Sequence, residues 1–588
     1  MCGIAGIQVQ QGLTPDHNIL ELFRTALYHR GPDDSGIETY DNTGFVHTRL
    51  SIIDLAQGHQ PLKDRTGTAV IVNGEIYNYI ELRHQLAGYA FQTHSDCEAI
   101  LPLYHRYGLE FTAHLRGMYG LALYDPLKKQ LILARDPFGI KPLYYVTFQH
   151  GLAFASEMQA LLKAKVREIS VNAVNPSARA ELLQLRYNTA ADTVIRDIYR
   201  VLPGELLVIQ NGQIIERRRQ TALPIDDRYG SLTAEQALQE LGAALKDSVG
   251  VHLRADVPYG LFLSGGLDSA TVLKLMTECT SQPIKTYTIG FSGSRVHDER
   301  AQARLLAHFF RTEHTELDYR EADFWKDLPL VVAAMDDPIF DQAMLPTYKL
   351  AQEARKSVKV ILCGEGGDEL LCGYRRYQKA RWPWWLGGRL MREKGTFTKA
   401  GLSCEQLNEW QQSLNHLKTI ESRPGYSKLQ IAQAIDCSSW LPNNLLIKLD
   451  RCLMAHGVEG RTPFLDPVVA RLCFNLPDTL KVHWTQGKWL LRQWLQQNVP
   501  ISHPFAKKKG FRVPVEEWIF NKGPRLGYLV ASQAGIEEII EPGVVKDIFI
   551  HPRPQTSYIA WILLTYAVWH QIYVVGKPVV PDTLSILS

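Results

Sequence analysis

At 588 residues, 45% hydrophobic and 21% charged, the chain has the balance of a folded globular protein and is too long for one ordinary core, so two large units are expected. A formal net charge of +3, small for this length, gives no support for a nucleic-acid binder, whose signature is a strongly basic face. Nine cysteines, an odd number without C-x-x-C spacing, argue against a disulfide framework and a zinc site; with no basic-then-apolar leader, a reducing cytoplasm is the expected compartment.

The first element opens as MCGIAGI. A cysteine at a fraying chain end is poorly placed for packing and open to oxidation. It is well placed as a nucleophile: removal of Met1 would set a free α-amine of pKa about 7.7 to 8.0 beside a thiol of about 8.5, so that one residue supplies base and nucleophile. From these seven letters alone, Cys2 as a small apolar residue starting an edge strand is the commoner outcome. The next two hundred residues carry short β-like runs, AVIVNGEIYN, YGLALYD, KQLILARD, GLAFASE and GELLVIQNGQI, which predict an α+β unit rich in antiparallel strands. A helix is predicted from SDCEAILPLYHRY, where Ser95 and Glu98 have capping-box spacing. Residues 217–230 are charged, include Pro224 and Gly230 and lack periodicity, so they read as a linker.

Beyond the linker strands alternate with helices: YGLFLS with LDSATVLKLM, IKTYTIGF with HDERAQARLLAHFF, VKVILCG with a helix near DELLCGYRRY. This predicts a parallel sheet covered on both faces, with ligands at the carboxyl ends of its strands. In FLSGGLDSATVL, residues Ser264, Gly265, Gly266, Leu267, Asp268 and Ser269 join a buried strand to a helix and present N–H groups and hydroxyls to an anion. A plain glycine turn would explain SGG alone; the full SGGLDS is more specific, and it is not a Walker A loop. From about Gly388 onward the sequence is mostly helical. KARWPWWLGGRLMREKGTFTK, from Lys379, mixes tryptophans with basic residues in a texture of nucleic-acid or membrane-surface contact, but Pro383 and the paired glycines make an irregular insertion the simpler account. AWILLTYAVWHQIYVV, from Ala560, is too short and too interrupted to span a bilayer comfortably.

SGGLDS, together with CGEGGDELLCGY from Cys363, resembles the signatures of ATP pyrophosphatases, which cut ATP between its α and β phosphates. The resemblance implies an ATP site of Leu263, Ser264, Gly265, Gly266, Leu267, Asp268, Ser269, Ile289, Gly364 and Glu365, with Asp268 and Asp368 holding Mg2+. In AKKKGFRVP it implies a lysine that neutralises the leaving pyrophosphate; among Lys507, Lys508 and Lys509 the alignment on Phe511 favours Lys508, against a solvated basic loop. MCGIAGI, HRGPDDSG, RLSIIDL, NGEIYNY, SDCEA and RDPFGIKPLYY, in that order, resemble a class II glutamine amidotransferase. That likeness implies Cys2 as nucleophile on glutamine, Asn73 and Gly74 as oxyanion hole, Arg49 as a clamp on the α-carboxylate, and Asp96 with Glu75 as receivers of the α-ammonium.

The two halves in this order, with LDRCLMAHGVEGRTPFLD from Leu449, resemble the glutamine-hydrolysing asparagine synthetase family. The implied fold is an N-terminal Ntn-hydrolase α/β-β-α sandwich over 1–216, a linker over 217–230, and over 231–588 a doubly wound parallel-sheet ATP-pyrophosphatase (HUP-like) domain with a helical C-terminal part. The implied chemistry amidates aspartate with ammonia from glutamine through β-aspartyl-AMP, with ATP as co-substrate and Glu365 as a base or ammonium orienter. The implied partners are these small molecules, with no nucleic acid and no membrane, and a homodimer is admitted. Two departures bear on the acceptor: Cys363 replaces the usual serine, and Leu371 with Cys372 replaces an aromatic-glycine pair. They leave open another carboxylate, in a peptide or a polysaccharide precursor. A non-catalytic regulatory homologue is a further reading, against which stand the intact Cys2, Arg49, Asn73, Asp96, Asp268, Glu365 and Asp368.

Overall fold

Strand GIAGIQV is apolar on both faces, and such a strand must be covered on both sides. The computed structural model, which describes residues 2–166, 173–296, 298–391, 394–402, 410–506, 510 and 512–588, covers it in that way. Strand Gly3–Val9 lies inside a six-stranded antiparallel sheet, ordered Ile198–Arg200, Tyr144–Phe148, Gly151–Ala155, Gly3–Val9, Thr43–Arg49, Asp34–Tyr40. A second antiparallel sheet runs Gln213–Arg219, Glu205–Gln210, Gln130–Arg135, Gly117–Asp125, Ala69–Ile76, Leu62–Lys63. Because side chains alternate along a strand, Ile4, Phe45 and Phe154 of the first sheet meet Ile71, Leu133 and Leu207 of the second. Ile7 and Val9 turn the other way, onto helices His17–Leu27 and Met158–Lys163. Val70, Val72 and Leu121 cover helix Ile100–Tyr107. The result is the expected α/β-β-α sandwich.

The capping box expected at Ser95 does not form. The Glu98 carboxylate instead accepts the Gln92 and Thr93 N–H groups at 2.7 and 2.8 Å, and a 3-10 turn, Asp96–Ala99, leads into the helix. The loop before Ser95 folds back and satisfies that carboxylate first. At the junction, residues 217–219, expected in the linker, instead complete edge strand Gln213–Arg219 because they pair with Glu205–Leu207, and the next long helix, Ala234–His252, starts from a capping box of Thr233 and Gln236.

The second half holds a five-stranded parallel sheet ordered Glu313–Asp318, Lys285–Gly290, Tyr259–Phe262, Val360–Leu362, Glu459–Arg461. In chain order this is 3-2-1-4-5, so the winding reverses between Tyr259–Phe262 and Val360–Leu362. Helices Ala234–His252, Leu267–Cys279 and Trp489–Asn498 cover one face; Met344–Ala354, Ile447–Met454 and Ser557–Tyr573 cover the other. Helix Ser557–Tyr573 is apolar almost all round because it is buried on every side; among the described residues no helix is long and apolar enough to cross a membrane. The tryptophan-rich stretch is irregular as expected, with a short 3-10 turn, Trp384–Leu386, between Arg375–Ala380 and Thr396–Lys399.

Candidate functional sites

Cys2 stands at the head of the central strand Gly3–Val9 and is buried. Its backbone N–H donates to Asn73 Oδ1 at 3.3 Å. That bond fixes the orientation of the Asn73 amide and turns its Nδ2 donor elsewhere; Nδ2 is buried without a hydrogen-bond partner. Asn73 and Gly74 lie on Ala69–Ile76, whose outward amides at Val72 and Ile76 are taken by Gln60 Oε1 and Asp96 Oδ2, each at 2.7 Å. Strand alternation points the Gly74 N–H to that same open edge. Only glycine fits there, since a Cβ on Gly74 would lie 2.0 Å from the Met118 carbonyl oxygen. The two donors nominated for an oxyanion hole are thus adjacent, beside the backbone of Cys2.

Burial pushes the Cys2 thiol up, Glu75 adds to this, and the Leu50 N–H and Arg49 oppose it. These influences bring Arg49 and Glu75 into one neighbourhood with the sulfur. Arg49 does not form the surface ion pair that a lone arginine usually makes. Its Nη1 donates to Leu55 O at 3.4 Å and its Nη2 to Ile53 O and Asp54 O at 3.2 and 2.6 Å, so carbonyls aim the guanidinium without neutralising it. Asp96 is buried and its carboxyl is raised by that burial, against the Ile76 N–H that it accepts. Glu75 is raised well above the ordinary range by burial and by Glu459 and Asp96. Arg461 Nη2 lies 3.4 Å from Glu75, but its Nε is given to Glu459 at 2.5 Å. Of the two carboxyls, Glu459 is held low, with Arg461 among the causes, while Glu75 is pushed up.

At the reversal point of the parallel sheet, Leu263 closes the first strand and Ser264, Gly265 and Gly266 turn into helix Leu267–Cys279, with Gly265 at φ +72°. Ser264 Oγ accepts the Gly266 N–H at 3.3 Å and lies 3.2 Å from Ser269 Oγ, so the hydroxyls brace the loop from inside. Ile289 is buried on the neighbouring strand. Gly364 and Glu365 follow strand Val360–Leu362 on the other side, and Glu365 Oε1 pairs with Lys448 Nζ at 3.3 Å. Asp268 and Asp368 converge, and the group between them is one that the motifs did not disclose. Lys488 Nζ lies 2.5 Å from Asp268 Oδ2 and 2.6 Å from Asp368 Oδ1. Lys488 is buried, sits in the left-handed region at φ 56°, and precedes helix Trp489–Asn498. Its sequence context, GKWLLR, carries no run or spacing that marks it. Lys508, chosen from the basic run, lies outside the described residues together with Lys507, Lys509 and Phe511. Cys363 and Cys372 are both buried, the latter at φ 58° where glycine would be unstrained.

Two carboxylates, one in the first turn of helix Leu267–Cys279 and one in the first turn of helix Gly367–Leu370, are the protein share that Mg2+ commonly takes when phosphates and water complete its shell, so Asp268 and Asp368 fit the ion as a donor set. Among the described residues no group of three or more His, Cys, Asp or Glu side chains is arranged to hold a metal by itself.

The asparagine synthase family matches residues 240–571 and the glutamine amidotransferase domain family residues 1–220. Asparagine synthetase [glutamine-hydrolyzing] 1 of Bacillus subtilis is 30% identical over 633 aligned positions, covering 100% of this chain and 99% of its own length. A putative asparagine synthetase [glutamine-hydrolyzing] of Mycobacterium tuberculosis is 33% identical, covering 93% of this chain and 92% of its own. Amidase chry2 of Gibberella zeae is 27% identical, covering 88% and 90%. With both domain families matched in this order and relatives aligned over the full length, the chain belongs to the glutamine-hydrolysing asparagine synthetase family.

Proposed function

We propose that this chain converts aspartate, ATP, glutamine and water to asparagine, AMP, pyrophosphate and glutamate, with a glutaminase unit extended from residue 216 to the end of strand Gln213–Arg219, a linker from there to residue 230 and a synthetase unit over 231–588. The observation that carries the reading is the meeting of Asp268, Asp368 and Lys488 at the reversal point of a parallel sheet, in one chain with a buried N-terminal cysteine.

In the first unit, Cys2 passes its thiol proton to its own α-amine and attacks the side-chain amide of glutamine; the C–N bond breaks, the nitrogen leaves as ammonia with that proton, and water then cleaves the γ-glutamyl thioester to glutamate and restores the thiol. Asn73 Nδ2 and the Gly74 N–H receive the negative oxygen of the tetrahedral intermediate. Arg49 offers its remaining N–H groups to the α-carboxylate. Asp96 and Glu75 receive the α-ammonium, a cation that offsets the burial raising both carboxyls. In the second unit, the loop over 264–269 receives the nucleotide phosphates, and Lys488 offsets charge that gathers on the pyrophosphate as an acyl adenylate forms. Asp268 and Asp368 would hold Mg2+, which when bound supplies further neutralisation of the phosphates. Glu365, tethered by Lys448, is placed to orient ammonia or take its proton.

A second reading keeps both units and changes the acid. Cys363 and Cys372, beside the acceptor loops, favour it, as does the likeness to a protein named an amidase. The test is an acceptor screen with glutamine, ATP and magnesium, reading AMP, pyrophosphate and amide product. Aspartate-dependent AMP with matching asparagine supports the first reading. Glutamate release without aspartate-dependent AMP sends the search to larger carboxylates.

A further inference from the structure

The nucleophile's own backbone is held by a residue that is itself held by the other half of the chain. Arg30, in HRGPDDSG, is fully buried, and its Nε donates to the Cys2 carbonyl at 3.1 Å. Its two Nη groups grip the Asp450 carboxylate in a fork, Nη1 to Oδ2 at 2.8 Å and Nη2 to Oδ1 at 3.1 Å. Nη1 also meets Glu157 Oε1 at 2.7 Å, but Glu157 is shared with Arg451 at 3.2 Å and His29 at 3.1 Å. Asp450 belongs to helix Ile447–Met454 of the second half, is buried, and is paired to Arg30 in the bidentate geometry that fixes both distance and plane.

We propose that Asp450, acting through Arg30, is a positioning residue for the Cys2 thiol. The inference rests on the reading of Cys2 as the glutaminase nucleophile. Once Met1 is removed, the peptide joining Cys2 to Gly3 is the nucleophile's single covalent tether. Its carbonyl is held by Arg30 and its N–H by Thr48 Oγ1 at 3.2 Å. With both edges of that peptide plane fixed, the Cys2 Cα is fixed, and the sulfur's approach to a substrate carbon varies only by rotations at Cys2 itself. Loss of the Arg30 bond lets the plane swing about the remaining one. A displacement of about 1 Å at a reacting atom costs on the order of a hundredfold in rate. Asp450 touches neither glutamine nor sulfur; it sets the fork that aims Nε.

The experiment uses the full chain and follows glutamate release from glutamine and, separately, AMP formation driven by ammonium with no glutamine. Cys2→Ala tests the underlying reading: if it still releases glutamate, that reading fails, whatever Asp450 does. With Cys2→Ala inactive, Asp450→Asn is expected to lower kcat for glutamate release by roughly tenfold to a hundredfold with KM for glutamine within about twofold, because binding groups are untouched. Ammonium-driven AMP formation is expected to stay near the parent value, and Asp450→Glu to recover part of the lost kcat. Asp450→Asn leaves Arg30 with an unmatched buried charge, so the double change Arg30→Met with Asp450→Leu, which removes both charges, is measured beside it for the same loss. Parent-like kcat in the folded Asp450→Asn protein overturns the inference. So does an equal fall in the glutamine-driven and ammonium-driven rates, which would mark Asp450 as merely structural. If neither of these variants folds, Arg30→Lys keeps a cation opposite Asp450 and loses the aimed Nε–H, and parent-like kcat there overturns the inference as well.

Discussion

The Asn73 amide faces two ways: its oxygen accepts from Cys2, and its nitrogen is a buried donor without a partner, the one proposed for a developing oxyanion. Replacing it by alanine removes both functions without disturbing Arg49 or Asp96. The expected result for Asn73→Ala is a fall in kcat for glutamine hydrolysis of about 10² to 10³, with ammonium-driven synthesis unaffected; parallel assays of glutamate and AMP check it. Asn73 was readable in NGEIYNY because the motif has a fixed order relative to Cys2. Lys488 was not. A single lysine ahead of an amphipathic helix looks the same in sequence whether it faces solvent or two carboxylates, and its left-handed backbone is a property of the fold around it.

The loops at the reversal of the parallel sheet are built so closely that glycine is required by space more than by flexibility. A Cβ on Gly373 would lie 1.8 Å from Asp368 Oδ1 and 2.5 Å from Lys488 Cε. Gly373→Ala is therefore expected to push the carboxylate and the ammonium apart, lowering ATP-dependent AMP formation by about a hundredfold while glutamine hydrolysis persists. Retention of parent AMP formation in that variant would place the chemistry elsewhere. The alternation of strand and helix after residue 257 was legible because buried parallel strands are continuous apolar runs and their helices carry a 3.6-residue stripe. The Ser95 capping box misled for a local reason: carboxylate spacing does not say which N–H groups reach it first, and residues 92 and 93 arrive from the preceding loop.

At the scale of the whole molecule, the two halves meet through charge that water does not reach. Burial alone would raise the Asp450 carboxyl, but Arg30 holds it below its ordinary range; Glu157 is likewise lowered against burial by His29, Arg451 and Arg30. A carboxyl lowered in the folded state contributes stability that is complete above its unfolded pKa, about 4, and is lost as pH falls through the folded value. The share of the thermal midpoint that Arg30 and Asp450 govern is expected to be intact above about pH 5 and to be lost below about 4, and Arg30→Met with Asp450→Leu to blunt the acid drop. A parallel acid profile for parent and double variant would show that this pair does not govern acid lability. Arg461 facing Glu75 and Asp450 facing Arg30 bring the second half to the wall of the first site, something no motif disclosed because those contacts join residues more than 380 positions apart. The consequence reaches protein engineering. A chimera grafting residues 1–230 onto a foreign synthetase would carry Cys2 and Arg30 without Asp450 and Arg461, so the module to exchange is that segment together with helix Ile447–Met454 and strand Glu459–Arg461.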